Sequence, residues 1–254
     1  MKTFAKKKLL LVEDDPIIQT IEVNALNKYG YQIIVASTGQ EAIDIVENSR
    51  EIDLILMDID LGSNSLDGTE TAQIILFNHD IPIVFLSSHT EPEIVEKTEK
   101  ITSYGYVVKS SHIAVLDASI KMAFKLFDAH QKLLESEEKF KQVYDNTLDN
   151  IFILEITDDR RYKVIGLNPA EEALVSEYGK LINTYLDESI PEDLYREVKK
   201  NYERCALGRR IISYEEVFHG QNFYTQLIPV KNPKGEIYRI IGIARNISEL
   251  YSEN

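Results

Sequence analysis

The stretch Ile52-Asp53-Leu54-Ile55-Leu56-Met57-Asp58-Ile59-Asp60 constrains this chain more than any other. An apolar run of strand length stops at an acid, and a loop with Gly62, Asn64, Ser65 and Gly68 follows. Strict alternation would mark a strand with one wet face. A continuous run marks a strand covered on both faces, as in a parallel sheet between two layers of helices. In such sheets the chemistry gathers beyond the carboxyl ends of the strands, where Asp58 is expected. A carboxylate there is a ligand, a nucleophile or a cap, and the neighbouring segments decide which.

Residues 8–12 form another apolar run, closing on Glu13-Asp14-Asp15. Asp15-Pro16 reads as a helix start, with a side-chain acceptor at the cap and a proline where no N–H is missed. That helix carries Ile17, Ile18, Ile21, Ala25 and Leu26 and stops near Gly30. A strand over 31–36 follows, then a helix over 39–48 with Ala42, Ile43 and Val46 on one face. Beyond Asp58 come a helix through Thr69, Ala72, Ile75, Leu76 and Phe77 and a strand over 81–86 that runs into Ser87-Ser88. Glu91-Pro92-Glu93 opens a fourth helix, 106–108 is a short strand ended by Lys109, and a last helix begins near Ser110 with Ile113, Leu116 and Ile120 buried. Five strands alternating with five helices predict an α/β doubly wound, five-stranded parallel sheet.

The strand ends then carry Glu13 and Asp14, Asp58, Ser87 and Lys109. Clustered carboxylates repel and need a cation or a proton to coexist. Oxygen-only ligands suit Mg²⁺, which keeps waters that a phosphate can replace. An aspartate can also accept a phosphoryl group as an acyl phosphate, and the transferred group then needs its charge neutralised by a metal and an ammonium. A hydroxyl such as that of Ser87 can donate to the same group.

The motifs LLLVEDDP, DLILMDIDLG, IVFLSS and GYVVKS resemble the receiver domain of two-component response regulators, a flavodoxin-like fold, across about residues 6–128. The resemblance implies that Asp58 is the phosphoacceptor, with Lys109 and Ser87 holding the phosphoryl group. It implies Mg²⁺ bound by Glu13, Asp14, Asp58 and the main-chain carbonyl of Asp60, and Tyr106 as the aromatic switch. The chain departs from the pattern in three places. The loop after Asp58 lacks the usual proline and is about two residues longer than the common form, and Ser110 follows Lys109 where proline is usual. Asp60 and His89 each stand two residues beyond a site residue, where side chains can shield an acyl phosphate from water.

No proline or glycine occurs between Gly105 and Gly166, and Ile113, Leu116, Ile120, Ala123, Phe127 and Leu134 recur mostly at steps of three and four. This predicts a helix longer than its domain needs, a signalling rod and dimer seam; the alternative is an amphipathic helix packed on its own domain. His130 within it reads as a surface or seam residue. After the helix come two strand patterns (151–154 and 162–167), a helix started by Asn168-Pro169 and a longer one opened by Pro191. Three further strands over 211–218, 222–230 and 238–247 follow, the last two joined by a turn at 232–235. This is an α+β pattern with an antiparallel sheet. The segments GLNPAEEAL and RIIGIARNISEL resemble a PAS domain, with Asn246 where an acid is usual. Cys205 is read as structural and His219 as solvent-facing. No PAS ligand is identified, and a dimerisation and relay role needs none.

The expected organisation is a receiver domain at 1–128, a helical connector at 129–142 and a PAS sensor or relay domain at 143–254. A formal net charge of −14 argues against nucleic acid and anionic membranes as partners. No stretch approaches the roughly 20 apolar residues of a membrane span, and the single cysteine excludes a disulfide framework. The resulting expectation is a cytoplasmic response regulator, not an enzyme acting on external substrates. Its expected partners are a sensor histidine kinase, a downstream signalling protein and a second copy of itself. The alternative is the receiver–PAS front part of a hybrid sensor kinase.

Overall fold

The computed structural model describes residues 6–48, 51–62, 66–88, 101 and 104–251. It divides into two compact units, Met1–Leu134 and Glu135–Asn254.

The first unit has strands β1 (Lys8–Val12), β2 (Gln32–Ala36), β3 (Leu54–Asp58), β4 (Ile83–Ser87) and β5 (Gly105–Val108). They form one sheet in the order β2-β1-β3-β4-β5, and every pairing is parallel. Its helices are α1 (Pro16–Lys28), α2 (Gly39–Asn48), α3 (Gly68–Asn78) and the start of α4 (Ile113–Asn146). Successive strand side chains point to opposite faces. Accordingly Leu10, Val12, Ile55 and Met57 join Ala42, Val46 and Ala72 in one core. Leu9, Leu11, Leu54 and Leu56 join Leu26, Leu116 and Ile120 in the other. All five residues of β3 are buried, so the continuous apolar pattern reflects two covered faces. The helix expected to open at Glu91 lies outside the described residues.

Local chemistry sets the helix ends. Asp15 caps α1, its Oδ1 accepting from Ile17 N at 2.7 Å, which separates it from the two acids before it. Asp67 and Glu70 form a reciprocal capping box on α3. In α1, Ile17 and Ile21 are exposed, as is Phe77 in α3, because each of these helices covers the sheet along only one stripe. Ile113, expected in the core, is half-buried at the edge of the second cluster. As the first residue of α4 it meets the sheet along one side only. Leu116, Ile120 and Ala123 pack fully inward. Asp117 is buried among them; it accepts a hydrogen bond from the Tyr31 hydroxyl at 2.8 Å, and Lys121 Nζ lies 2.6 Å from its other oxygen.

The second unit has β6 (Asn150–Ile156), β7 (Tyr162–Leu167), β8 (Ile212–Phe218), β9 (Gln221–Lys231) and β10 (Ile237–Asn246). They form an antiparallel sheet in the order β7-β6-β10-β9-β8. The helices α5 (Pro169–Leu174), α6 (Leu186–Ser189) and α7 (Glu192–Gly208) complete a core of Leu154, Val164, Tyr202, Cys205, Leu227 and Ile240. Asn168, fully buried, organises one end. Its Oδ1 accepts from Ile151 N at 2.8 Å and Glu171 N at 3.1 Å. Its Nδ2 donates to Asp149 O at 2.9 Å and Tyr144 O at 3.2 Å. The turn between β9 and β10 is closed by the Asn232 side chain, which accepts from Lys234 N and Glu236 N.

Candidate functional site in the first unit

The sheet order puts the carboxyl ends of β1 and β3 side by side, with β4 next and β5 beyond it. Glu13 and Asp14 follow β1, Asp58 ends β3, Ser87 ends β4 and Lys109 follows β5. Asp58 is opposite Leu86 and Ser87 opposite Val108, so these residues share one edge of the sheet. Lys109 reaches back across β4. Its Nζ lies 2.6 Å from Asp58 Oδ2 and 2.5 Å from Glu13 Oε2, and its main-chain N–H donates to Ser87 O at 2.8 Å.

Glu13, Asp58 and Ser87 are almost wholly buried, whereas Asp14 is open to solvent. The Asp58 carboxyl is pushed up to about 6, first by burial and then by the Glu13 charge, against the opposing pull of Lys109 and the Asp60 main-chain N–H. That N–H donates to Asp58 Oδ1 at 3.1 Å. Burial works against the charge on Lys109, but its hydrogen bonds to Asp58 and Glu13 outweigh that and hold its pKa above the ordinary lysine value.

Two glycines make the geometry possible. At Gly68, the first residue of α3, a Cβ would stand 1.8 Å from the Asp58 carbonyl oxygen, so only glycine lets the helix start against the strand end. Gly62 has φ +61°, and a Cβ there would lie 3.3 Å from Asp14 Oδ2. Tyr106, on β5, is half-buried and packs against the core that contains Met57 and Phe85.

The donor set fits a divalent cation. One carboxylate oxygen from each of Glu13, Asp14 and Asp58 lies within 4.8 Å of the others. Oxygen-only donors of this kind suit Mg²⁺, which keeps waters in its shell. One member of the neighbourhood escaped the sequence reading. Glu22 of α1 lines a cavity of about 310 Å³ together with Lys109, Leu86 and Leu116. Among the described residues its buried Oε2 has no hydrogen-bond partner, and its carboxyl is raised to about 7 by burial and by the Glu13 charge. An acid within an amphipathic helix pattern gives no sign of this.

A family model for the response regulator receiver domain matches residues 9–121, and one for the PAS fold matches residues 144–252. The chain is a response-regulator receiver domain followed by a PAS domain. The receiver is 30% identical over 135 residues to the transcriptional regulatory protein YrkP of Bacillus subtilis, covering 52% of this chain and 56% of that protein. It is also 30% identical over 122 residues to the transcriptional regulatory protein PdtaR of Mycobacterium tuberculosis, covering 48% and 58%. The chain thus spans a little over half the length of these relatives. A solved structure, the N-terminal domain of a response regulator/sensory box/GGDEF 3-domain protein from Carboxydothermus hydrogenoformans, is 45% identical over 49% of this chain and 98% of its own, with a TM-score of 0.46.

In the PAS domain the residues singled out from sequence carry no cluster. Cys205 is fully buried and burial pushes its thiol up to about 11, which suits a structural role. His219 stands at a turn with φ +50°, its Nε2 3.2 Å from Glu177 Oε1. Asn246 donates to Gln221 Oε1 at 3.0 Å and caps the following turn through Ser248 N. The domain's ion pair at that end is instead Arg245 with Asp149, at 2.7 Å. His130 is exposed on α4. Among the described residues no helix is long and apolar enough to cross a membrane.

Proposed function

We propose that this chain is a phosphorylation-controlled signalling protein in which Asp58 accepts a phosphoryl group from a partner histidine kinase. The observation that carries the reading is the buried Asp58 carboxylate bridged by Lys109 to Glu13, beside the exposed Asp14. An Asp58 oxygen attacks phosphorus as the bond from phosphorus to the kinase's histidine nitrogen breaks, and the product is an acyl phosphate. Glu13, Asp14, Asp58 and the Asp60 carbonyl would hold Mg²⁺, whose chemistry is to neutralise charge on the phosphoryl oxygens. Lys109 neutralises a further oxygen and Ser87 donates to it. The new charge draws the end of β4, and Tyr106 turns with it.

Residues 129–142 of α4 act as the connector to the PAS domain, which relays the change to a downstream protein. A second copy is expected along the helix, because Met122, Leu126, Leu133, Phe140 and Val143 are exposed at steps of four, seven, seven and three. That is the spacing of a coiled-coil seam. It lies apart from Leu116, Ile120 and Ala123, residues of the stripe read from sequence, which pack on their own domain instead. The same chemistry would serve the front part of a hybrid sensor kinase, which a histidine-kinase core encoded downstream would distinguish.

The test is incubation with Mg²⁺ and a small phosphodonor, read by intact mass. One phosphate adduct is expected on the wild type and none on Asp58→Ala; an adduct of equal yield on Asp58→Ala overturns the assignment. Asp60→Ala is expected to change the lifetime of the adduct, and an unchanged decay rate removes Asp60 from that role.

A further inference from the structure

The PAS domain holds a cavity of about 130 Å³ between the sheet on one side and α5, α6 and α7 on the other. Much of its wall is apolar, as at Leu154, Val164 and Leu181, yet Glu171, Glu197 and Glu216 all line it, and no Lys, Arg or His does. Glu171 is only 9% exposed, and among the described residues nothing donates a hydrogen bond to its carboxylate. Glu216 is half-buried, with the Thr225 hydroxyl donating to its Oε1 at 2.5 Å. A buried carboxylate without a counter-charge is costly. Burial, and next the Glu216 charge, push the Glu171 carboxyl up to about 7.

We propose that this cavity binds a compact organic cation, a primary ammonium on a small apolar or aromatic body, with the ammonium received by Glu171 and Glu216. The acid-lined, cation-free wall repels anions and leaves Glu171 wanting a donor. An ammonium supplies three donors and the missing charge. The rings of Phe152, Tyr202 and Tyr214 line the same space and offer faces to a cation and edges to an apolar body. Size limits the ligand. An engineered cavity of about 150 Å³ takes a benzene ring, so about 130 Å³ admits a body of about that size. A divalent metal fits less well. Among the described residues the acids whose oxygens gather within 4.8 Å are Glu13, Asp14 and Asp58, so the three glutamates of the cavity do not close on one ion.

The proposal does not depend on Asp58. Its test uses the full chain, with calorimetric titration of benzylamine, benzyl alcohol and benzoate as probes. Benzylamine is expected to bind at least about tenfold more tightly than either the neutral or the anionic probe, since only it brings a positive charge and three donors to the carboxylates. Glu171→Gln and Glu216→Gln, of nearly unchanged shape, are each expected to weaken benzylamine about tenfold while circular dichroism stays that of the wild type. Equal binding of the three probes by the wild type, or no benzylamine binding, overturns the proposal without recourse to the variants. Unchanged benzylamine affinity in a folded Glu171→Gln also overturns it.

Discussion

Asp58→Asn is expected to make the metal-free receiver more stable at neutral pH. Asp58 is 1% exposed, and its carboxyl is raised from the ordinary 3.8 to about 6. The folded state therefore binds this proton more tightly than the unfolded state does. Ionisation then costs stability, by about 3 kcal/mol once the pH is well above 6, and the cost vanishes below about pH 4. Asparagine keeps the shape and removes the charge, and Lys109 retains Glu13 as a partner. Urea unfolding in a chelator, followed through a probe in the first unit, is the assay. The variant should gain up to about 3 kcal/mol at pH 7.5, or on the order of 10 °C in the midpoint for a unit of this size, with the advantage shrinking to nothing by pH 4. Adding Mg²⁺ should stabilise the wild type by mass action and the variant less. A variant no more stable than the wild type at pH 7.5, or an advantage independent of pH, would refute the claim that burial without a metal penalises the Asp58 charge.

Gly68→Ala forces a Cβ onto the Asp58 carbonyl oxygen and should cost the first unit about 2–3 kcal/mol in urea, with slower adduct formation from a phosphodonor. Asn168→Ala removes four hydrogen bonds and the α5 cap, so the second unit should lose about 2–4 kcal/mol in thermal or denaturant unfolding while the first keeps its midpoint. Leu133→Glu places a charge on the exposed stripe of α4, and sedimentation should show a lighter species with unchanged circular dichroism.

The receiver was legible because buried parallel strands advertise themselves. An unbroken run such as 54–57, bounded by acids and a glycine-containing loop, fits a strand covered on both faces, and once the strands are placed their ends fall together without knowledge of any side-chain contact. Glu22 and Glu171 were not legible for the converse reason. Each lies in a helix whose pattern permits a solvated acid, and each lines a cavity shared with segments distant in sequence, α4 for Glu22 and the sheet for Glu171. The long helix was half legible. Its apolar residues recur at helical steps throughout, but only the coordinates separate Leu116 and Ile120, which face the sheet, from Leu126 and Leu133, which do not. The PAS strands were placed by their strand-like runs and by the Asn232 turn; the cavity depends on side-chain volumes that no periodicity records.

The bond between Tyr31 and Asp117 limits how the receiver can speak through α4. Twisting the first turns of that helix about its own axis would strip a buried carboxylate of its phenol, a penalty of about 1–3 kcal/mol and comparable to what a phosphoryl switch has to give. The helix is thus bolted at its root. News of phosphorylation is expected to leave as a bend, or a change of strand partner, past Ala123, and loosening the bolt with Tyr31→Phe should blur the on and off states.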